Sequence, residues 1–227
     1  MNKKPSIIVW NITSKCNMDC DFCFGPARIE EISTPQALEK IRQFKKQGAT
    51  SLVFTGGEPL LRNDIATLIT FAKEQGLFTI LHTNGLLLRK EFVDGMEGCL
   101  DQINLPLDGY NEETNGLMRL KGHFQRILDC FDLLKNREIK VIISTVATEI
   151  NKDFLVKISK IIPDFIYKWR IFQFSPQGKA AKVTNRYNIS DNDFKKIARQ
   201  IEKLDLSFKV QLISNRDKKF RDSYYIV

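Results

Sequence analysis

The chain contains no apolar run near the ~20 residues that a membrane-spanning helix needs. Met1-Asn2-Lys3-Lys4-Pro5 carries two lysines, but no apolar stretch of signal-peptide length follows. Both absences point to a cytoplasmic protein. There is no dense Lys/Arg run with interleaved aromatics, so the net charge of +8 reads as a basic surface rather than a nucleic-acid site. Only two histidines occur, His82 and His123, isolated from one another, and neither takes a role. Cysteine is scarce and odd in number: five, of which three are clustered. That excludes a secreted disulfide framework and points to metal or redox chemistry in a reducing compartment.

What is present is ordinary for one large α/β domain: 227 residues, 43% hydrophobic and 27% charged. Strand and helix alternate with short connections, the pattern of a parallel sheet. The spacing predicts strands over 6–13, 51–54, 78–82, 102–107, 141–147, 167–174 and 208–213, and helices from Thr34 and over 63–75, 88–96, 123–135, 153–161 and 190–204. Thr34 is the expected cap of its helix, Pro35 suits the first helical position, and Gly48 lies just past the end. No linker or internal boundary interrupts the pattern, so 1–227 reads as one core domain with a tail over 1–5. The expected architecture is a partial (β/α)6 TIM-like barrel, a curved parallel sheet with outer helices. Active sites of such folds lie at the carboxyl ends of the strands.

The clustered cysteines fall at that edge. Cys16, Cys20 and Cys23 follow the first strand at C-x3-C-x2-C spacing, in a loop with neither helical nor strand periodicity. Such a loop can turn its sulfurs onto one metal centre, because close thiolates repel unless a cation binds them. An iron–sulfur cluster is the expected occupant. Cys99 and Cys130 lack ligand spacing and read as small buried residues.

Further unusual residues end the next strands. Thr55-Gly56-Gly57-Glu58-Pro59 follows the second. Its glycines permit close backbone approach, and its N–H and C=O groups suit a polar ligand such as an amino-acid amine or carboxylate. His82-Thr83-Asn84-Gly85 ends the third strand and Leu107-Asp108-Gly109 the fourth. A carboxylate at a strand end can accept ribose hydroxyl hydrogens. Each is by itself an ordinary turn; together with the cysteines they suggest a shared site. Arg119 could clamp a carboxylate bidentately.

The combination C-x3-C-x-Phe-Cys, with Phe22 directly before Cys23, plus Gly-Gly-Glu-Pro on the second strand, resembles the radical S-adenosylmethionine (SAM) superfamily. The strand–helix rhythm extends that resemblance over essentially the whole chain. It implies an oxygen-sensitive enzyme with a [4Fe–4S] cluster held by Cys16, Cys20 and Cys23. Three thiolates leave one iron for SAM's amine and carboxylate. One-electron cleavage would then give a 5′-deoxyadenosyl radical that abstracts hydrogen from substrate. By the same resemblance Phe22 shields the cluster and borders the adenine, and Gly56, Gly57 and Glu58 line the methionine amine. Asn84 and Asp108 are weaker carry-overs to the ribose and methionine side, and Arg119 to the methionine carboxylate. Ser144 and Thr145 could reach SAM.

Trp169-Arg170-Ile171-Phe172-Gln173-Phe174, Ile189-Ser190-Asp191, Ser214-Asn215 and Asp222-Ser223-Tyr224 resemble stretches of viperin-type and MoaA-like members; viperin-type enzymes dehydrate a nucleoside triphosphate. Ile142 and Ser144 stand where those enzymes place a lysine and an asparagine. Arg28 and Arg170 could still bind an anion. Tyr224-Tyr225-Ile226-Val227 reads as a strand cut short, which leaves either a compact one-cluster enzyme or a truncated sequence. The expected partners are a reductant such as flavodoxin or ferredoxin and a small-molecule, nucleotide or peptide substrate, with no membrane or nucleic acid. A non-catalytic electron-transfer protein would want a fourth cysteine ligand. A structural zinc site would leave Gly-Gly-Glu-Pro without a purpose.

Overall fold

The computed structural model describes residues 6–25, 29–217 and 224–227. Arg28, Asp222 and Ser223 lie outside them. The first strand is β1 (Ile7–Thr13), followed by α1 (Thr34–Lys46) and β2 (Ser51–Gly56). Then come α2 (Ile65–Glu74), β3 (Phe78–His82), α3 (Lys90–Gly95) and β4 (Gln102–Pro106). The chain continues through α4 (Glu112–Gly116), α5 (His123–Leu134), β5 (Lys140–Ala147), α6 (Leu155–Ile158) and β6 (Lys168–Gln173). It ends with α7 (Thr184–Tyr187), α8 (Asp191–Ile201), β7 (Lys209–Ile213) and β8 (Tyr224–Ile226).

The eight strands among the described residues form one sheet in the order β7-β6-β5-β4-β3-β2-β1-β8, and every pair is parallel. The sheet is open and curled, a half-barrel flanked by helices. Six strand–helix units were expected; β7 and β8 extend the sheet at its two edges. β8 lies beside β1, far from it in sequence. Val227 N–H donates to Val9 O (2.9 Å) and Asn11 N–H to Val227 O (2.9 Å).

Local chemistry accounts for the helix ends. Ser33, not Thr34, caps α1. Its backbone N–H donates to Gln36 Oε1 (2.9 Å), while Thr34 takes the first helical position and donates its hydroxyl to Asp64 Oδ2 (2.8 Å). Ser190 caps α8, accepting Asp193 N–H on its hydroxyl (3.0 Å). Gly76, at φ +70°, ends α2 with a backbone that few other residues adopt.

The two sheet faces differ. Leu52, Phe54, Leu81, Ile103, Leu105, Ile143, Trp169 and Ile171 are fully buried beneath the helices. Register places the alternate residues on the other face, with Asn104 beside His82, Pro106 beside Ser144 and Ser144 beside Arg170. Near the cysteine loop that concave face is polar, while buried Val53, Ile80 and Ile142 lie further along it. None of the described helices is long and apolar enough to cross a membrane.

Candidate functional site

The cysteine loop leaves β1 and is fixed from below by the end of β2. Gly57 N–H donates to Thr13 O (2.8 Å) and Glu58 N–H to Lys15 O (2.8 Å). Only glycine permits this. A Cβ on Gly56, whose φ is +128°, would lie 2.2 Å from Thr13 O, and one on Gly57 would lie 2.1 Å from Lys15 O. The two glycines therefore seat the loop directly on the strand, and of the two only Gly57 lines the cavity beside it.

Each of the three sulfurs receives an N–H donor. Cys16 Sγ accepts from Met18 N–H (3.4 Å) and Asn84 Nδ2 (3.9 Å), Cys20 Sγ from Arg119 Nη1 (3.7 Å), and Cys23 Sγ from Gly25 N–H (3.1 Å). Burial pushes the Cys16 and Cys20 thiols up; at Cys20 the Arg119 guanidinium opposes that rise. The three cysteines open onto one cavity of about 320 Å³, which Ser14, Thr55, His82, Asn84, Asn104, Arg119, Ser144 and Lys179 also line. Among the described residues no three His, Cys, Asp or Glu side chains converge where a single ion would sit. A cluster asks less of the loop, because each thiolate takes a different iron. The donor set, three thiols with hydrogen-bond donors at sulfur and no fourth cysteine beside them, fits a cluster with one iron left open.

Glu58 is fully buried. Its carboxylate accepts Leu60 N–H (3.0 Å), the Thr83 hydroxyl (2.7 Å) and Asn84 N–H (2.7 Å), and burial holds its pKa above the usual range. It ties the turn after β3 to the turn after β2. The Asn84 amide then reaches Asn17 Oδ1 (2.7 Å) as well as Cys16.

Asp108 is also fully buried and lies outside the cavity lining. It accepts Arg119 Nε (2.6 Å) and Val146 N–H (2.7 Å). Burial works against the Arg119 charge, but Asp108 and the Cys20 sulfur outweigh it and the guanidinium's pKa is raised. Arg119 also lies over the Phe22 ring, 4.7 Å from its centroid. Phe22 is buried against Tyr187, with ring centroids 5.6 Å apart, and stands behind the cavity rather than in its lining. Ser144 reaches the cavity. Thr145 does not: it donates to Leu107 O (2.5 Å) and accepts from Trp169 Nε1 (2.8 Å). Cys130 is buried, its thiol pushed up to about 11 by desolvation, and Cys99 is half-buried.

His123 and Asn115 support the site without any motif to announce them, and Thr83, within the turn after β3, supports it through Glu58. His123 Nε2 lies 3.0 Å from Asn84 O and its Nδ1 lies 3.0 Å from Asn115 Nδ2. Nε2 therefore carries the proton and donates to the carbonyl, while Nδ1 accepts. Asn115 Oδ1 accepts Asp108 N–H (3.1 Å), which closes a path of contacts from the Asn84 turn to Arg119. The segment over 178–187 crosses the cysteine loop: Lys179 pairs with Asp19, and Arg186 with Asp21 at 3.4 Å.

Residues 10–158 match the Radical SAM superfamily, and the chain belongs to it. An AdoMet-dependent heme synthase of Methanosarcina barkeri is 26% identical over 219 residues, covering 93% of this chain and 62% of that protein. An AdoMet-dependent heme synthase of Oleidesulfovibrio alaskensis is 30% identical over 184 residues, covering 78% of this chain and 47% of that protein. The chain thus spans between 47% and 62% of the length of these relatives. Streptococcus suis SuiB, in its crystal structure bound to S-adenosylmethionine, has the same fold. Its TM-score is 0.77 at 17% identity, over 96% of this chain and 52% of SuiB.

Proposed function

We propose that the chain is a radical SAM enzyme, its core domain holding a [4Fe–4S] cluster on Cys16, Cys20 and Cys23. One observation carries the reading: three sulfurs, each with an N–H donor, share a cavity closed from below by the Gly-Gly-Glu turn. When bound, the reduced cluster supplies the electron that splits SAM into methionine and a 5′-deoxyadenosyl radical, which takes hydrogen from substrate. The protein's own residues bind and orient. Donors from Asn84 and Arg119 stabilise sulfur in its thiolate form, and binding iron releases the thiol protons. Gly57 lines the methionine side of the SAM site, with Gly56 seating it against Thr13 and Glu58 bracing it from behind. Asp108 acts through Arg119, which lines the cavity and would hold the methionine carboxylate. Phe22, with Tyr187 behind it, backs the loop against water.

The electron donor in this reading is a flavodoxin or ferredoxin, and the compartment is the reducing cytoplasm, which suits five free cysteines. The heme synthases among the relatives make a tetrapyrrole the first substrate to try. A viperin-like nucleotide substrate is the second reading, favoured by Arg170, which has no acidic partner among the described residues. The test is anaerobic reconstitution with iron and sulfide, reduction, and addition of SAM. Formation of 5′-deoxyadenosine is expected, with loss of both cluster and cleavage in Cys20→Ala. A cluster whose EPR signal ignores SAM would overturn the assignment.

A further inference from the structure

The concave face carries more than the cofactor cavity. On β6, Arg170 stands in register between Ser144, which lines the cavity, and Gln211 on β7. Lys168 precedes it on the same face, beside Lys209. At about 3.3 Å per residue, Lys168 is about 7 Å further from the cysteine loop than Arg170. Lys140, Lys168 and Lys209 gather around one ring, their ammonium groups 5.3, 5.8 and 5.2 Å from the Tyr167 centroid.

Among the described residues, no carboxylate lies within ion-pair distance of Arg170, Lys140, Lys168 or Lys209. The one hydrogen bond of the Arg170 side chain among the described residues is Nε to Gln211 Oε1 (3.2 Å), which fixes the guanidinium and leaves its two outer nitrogens without an acceptor among those residues. No buried side-chain nitrogen or oxygen among the described residues lacks a partner, so those nitrogens reach solvent on the concave face. Burial pushes Arg170 and Lys168 down, and at Lys168 the neighbouring Arg170 and Lys209 charges add to the effect. His82 contributes no charge: burial, with Arg170 nearby, holds it at about 3, and it contacts Asn104 at 2.8 Å. Like charges set together on a partly desolvated face destabilise the fold, and a bound anion relieves both the repulsion and the unmet donors.

We infer that Arg170, backed by Lys168 and oriented by Gln211, binds an anionic group, carboxylate or phosphate, of a small-molecule substrate lying along the concave face. The anchored end sits away from the cysteine loop, so the opposite end of the substrate is presented to the SAM site. This rests on the enzyme reading above for the occupant being a substrate; the anion site itself stands on the unpaired cations.

Inorganic phosphate and glutarate are suitable probes, since neither strips iron as stronger chelators do. Their affinities are measured by calorimetry on the cluster-loaded protein and on Arg170→Gln, Arg170→Lys and Lys168→Gln, with visible and far-UV spectra as checks of cluster and fold. The expected result is about tenfold weaker binding in R170Q, partial recovery in R170K, and a smaller loss in K168Q. Preference for phosphate or for glutarate assigns the source of the charge, and either supports the site. No binding to the wild type, or equal binding by wild type and R170Q, overturns it; if R170Q fails to fold, equal binding by K168Q does so. If the wild type cleaves no SAM yet the R170Q difference persists, the enzyme reading falls and the anion site stands.

Discussion

At the scale of single residues, the site is held by buried groups that never touch its cavity. Asp108 keeps Arg119 over Phe22 and toward Cys20, and Asn115 joins Asp108 to His123. His123 is locked in one tautomer. A second proton on Nδ1 would face the Asn115 amide N–H₂, and that amide cannot turn without losing its bond to Asp108 N–H. Burial accordingly holds His123 at about 4, below the ordinary 6.5. The folded state therefore resists a proton that the unfolded chain accepts, so stability falls as pH drops from 6.5 toward 4. Between pH 7.5 and 4.5 this residue is expected to account for a loss of about 2 kcal/mol, absent in His123→Gln. Urea midpoints of the two proteins at both pH values check it. His82, held at about 3, acts in the same window, so the variant retains part of the acid sensitivity.

At the scale of elements, the decisive contact is between the end of β2 and the start of the cysteine loop. Gly57→Ala would drive a Cβ to 2.1 Å from Lys15 O and 2.6 Å from Lys15 C, and neither atom belongs to a side chain that can rotate away. The expected result is a loss of about 1–3 kcal/mol of stability and a lower iron content after reconstitution. Gly95→Ala, in α3 with nothing within 4 Å of its Cβ, is the control: it should leave iron content unchanged and should not lower stability. The sequence pattern marked Gly56-Gly57 as a place of close approach, but not that Thr13 and Lys15 would make the approach. The same limit hid the 178–187 segment. Its pairing with Asp19 and Asp21 joins residues 160 and 165 positions apart, and no periodicity foretells such a contact. α4 was missed for a related reason: a five-residue helix has too few turns for an apolar stripe.

At the scale of the whole molecule, the open sheet leaves β7 and β8 as its edges, with β8 beside the strand that carries the cysteines. In a chain ending at residue 217, Asn11 N–H would lose its bond to Val227 O. Its amide is expected to exchange faster with deuterium, while those of Leu52, Val53 and Phe54 within the sheet keep their protection. Unchanged exchange at Asn11 would show that β8 does not hold β1 in solution.

The alternation of strand and helix was legible because burial on both faces of a parallel sheet demands continuous apolar runs, such as Leu52-Val53-Phe54, punctuated by glycines at helix ends. The cysteine spacing and the turn residues were legible because metal ligation and tight turns require particular side chains close together in sequence. The chain alone therefore determined the fold class and the strand edge at which the cysteines and the turn residues meet. Only the tertiary structure decided which partner each group takes: that Glu58 braces the Asn84 turn, that Asp108 serves Arg119, and that Arg170 and three lysines share one sheet face with no acid paired to them among the described residues. Those pairings depend on strand register and on the packing of distant loops, and a one-dimensional pattern carries neither.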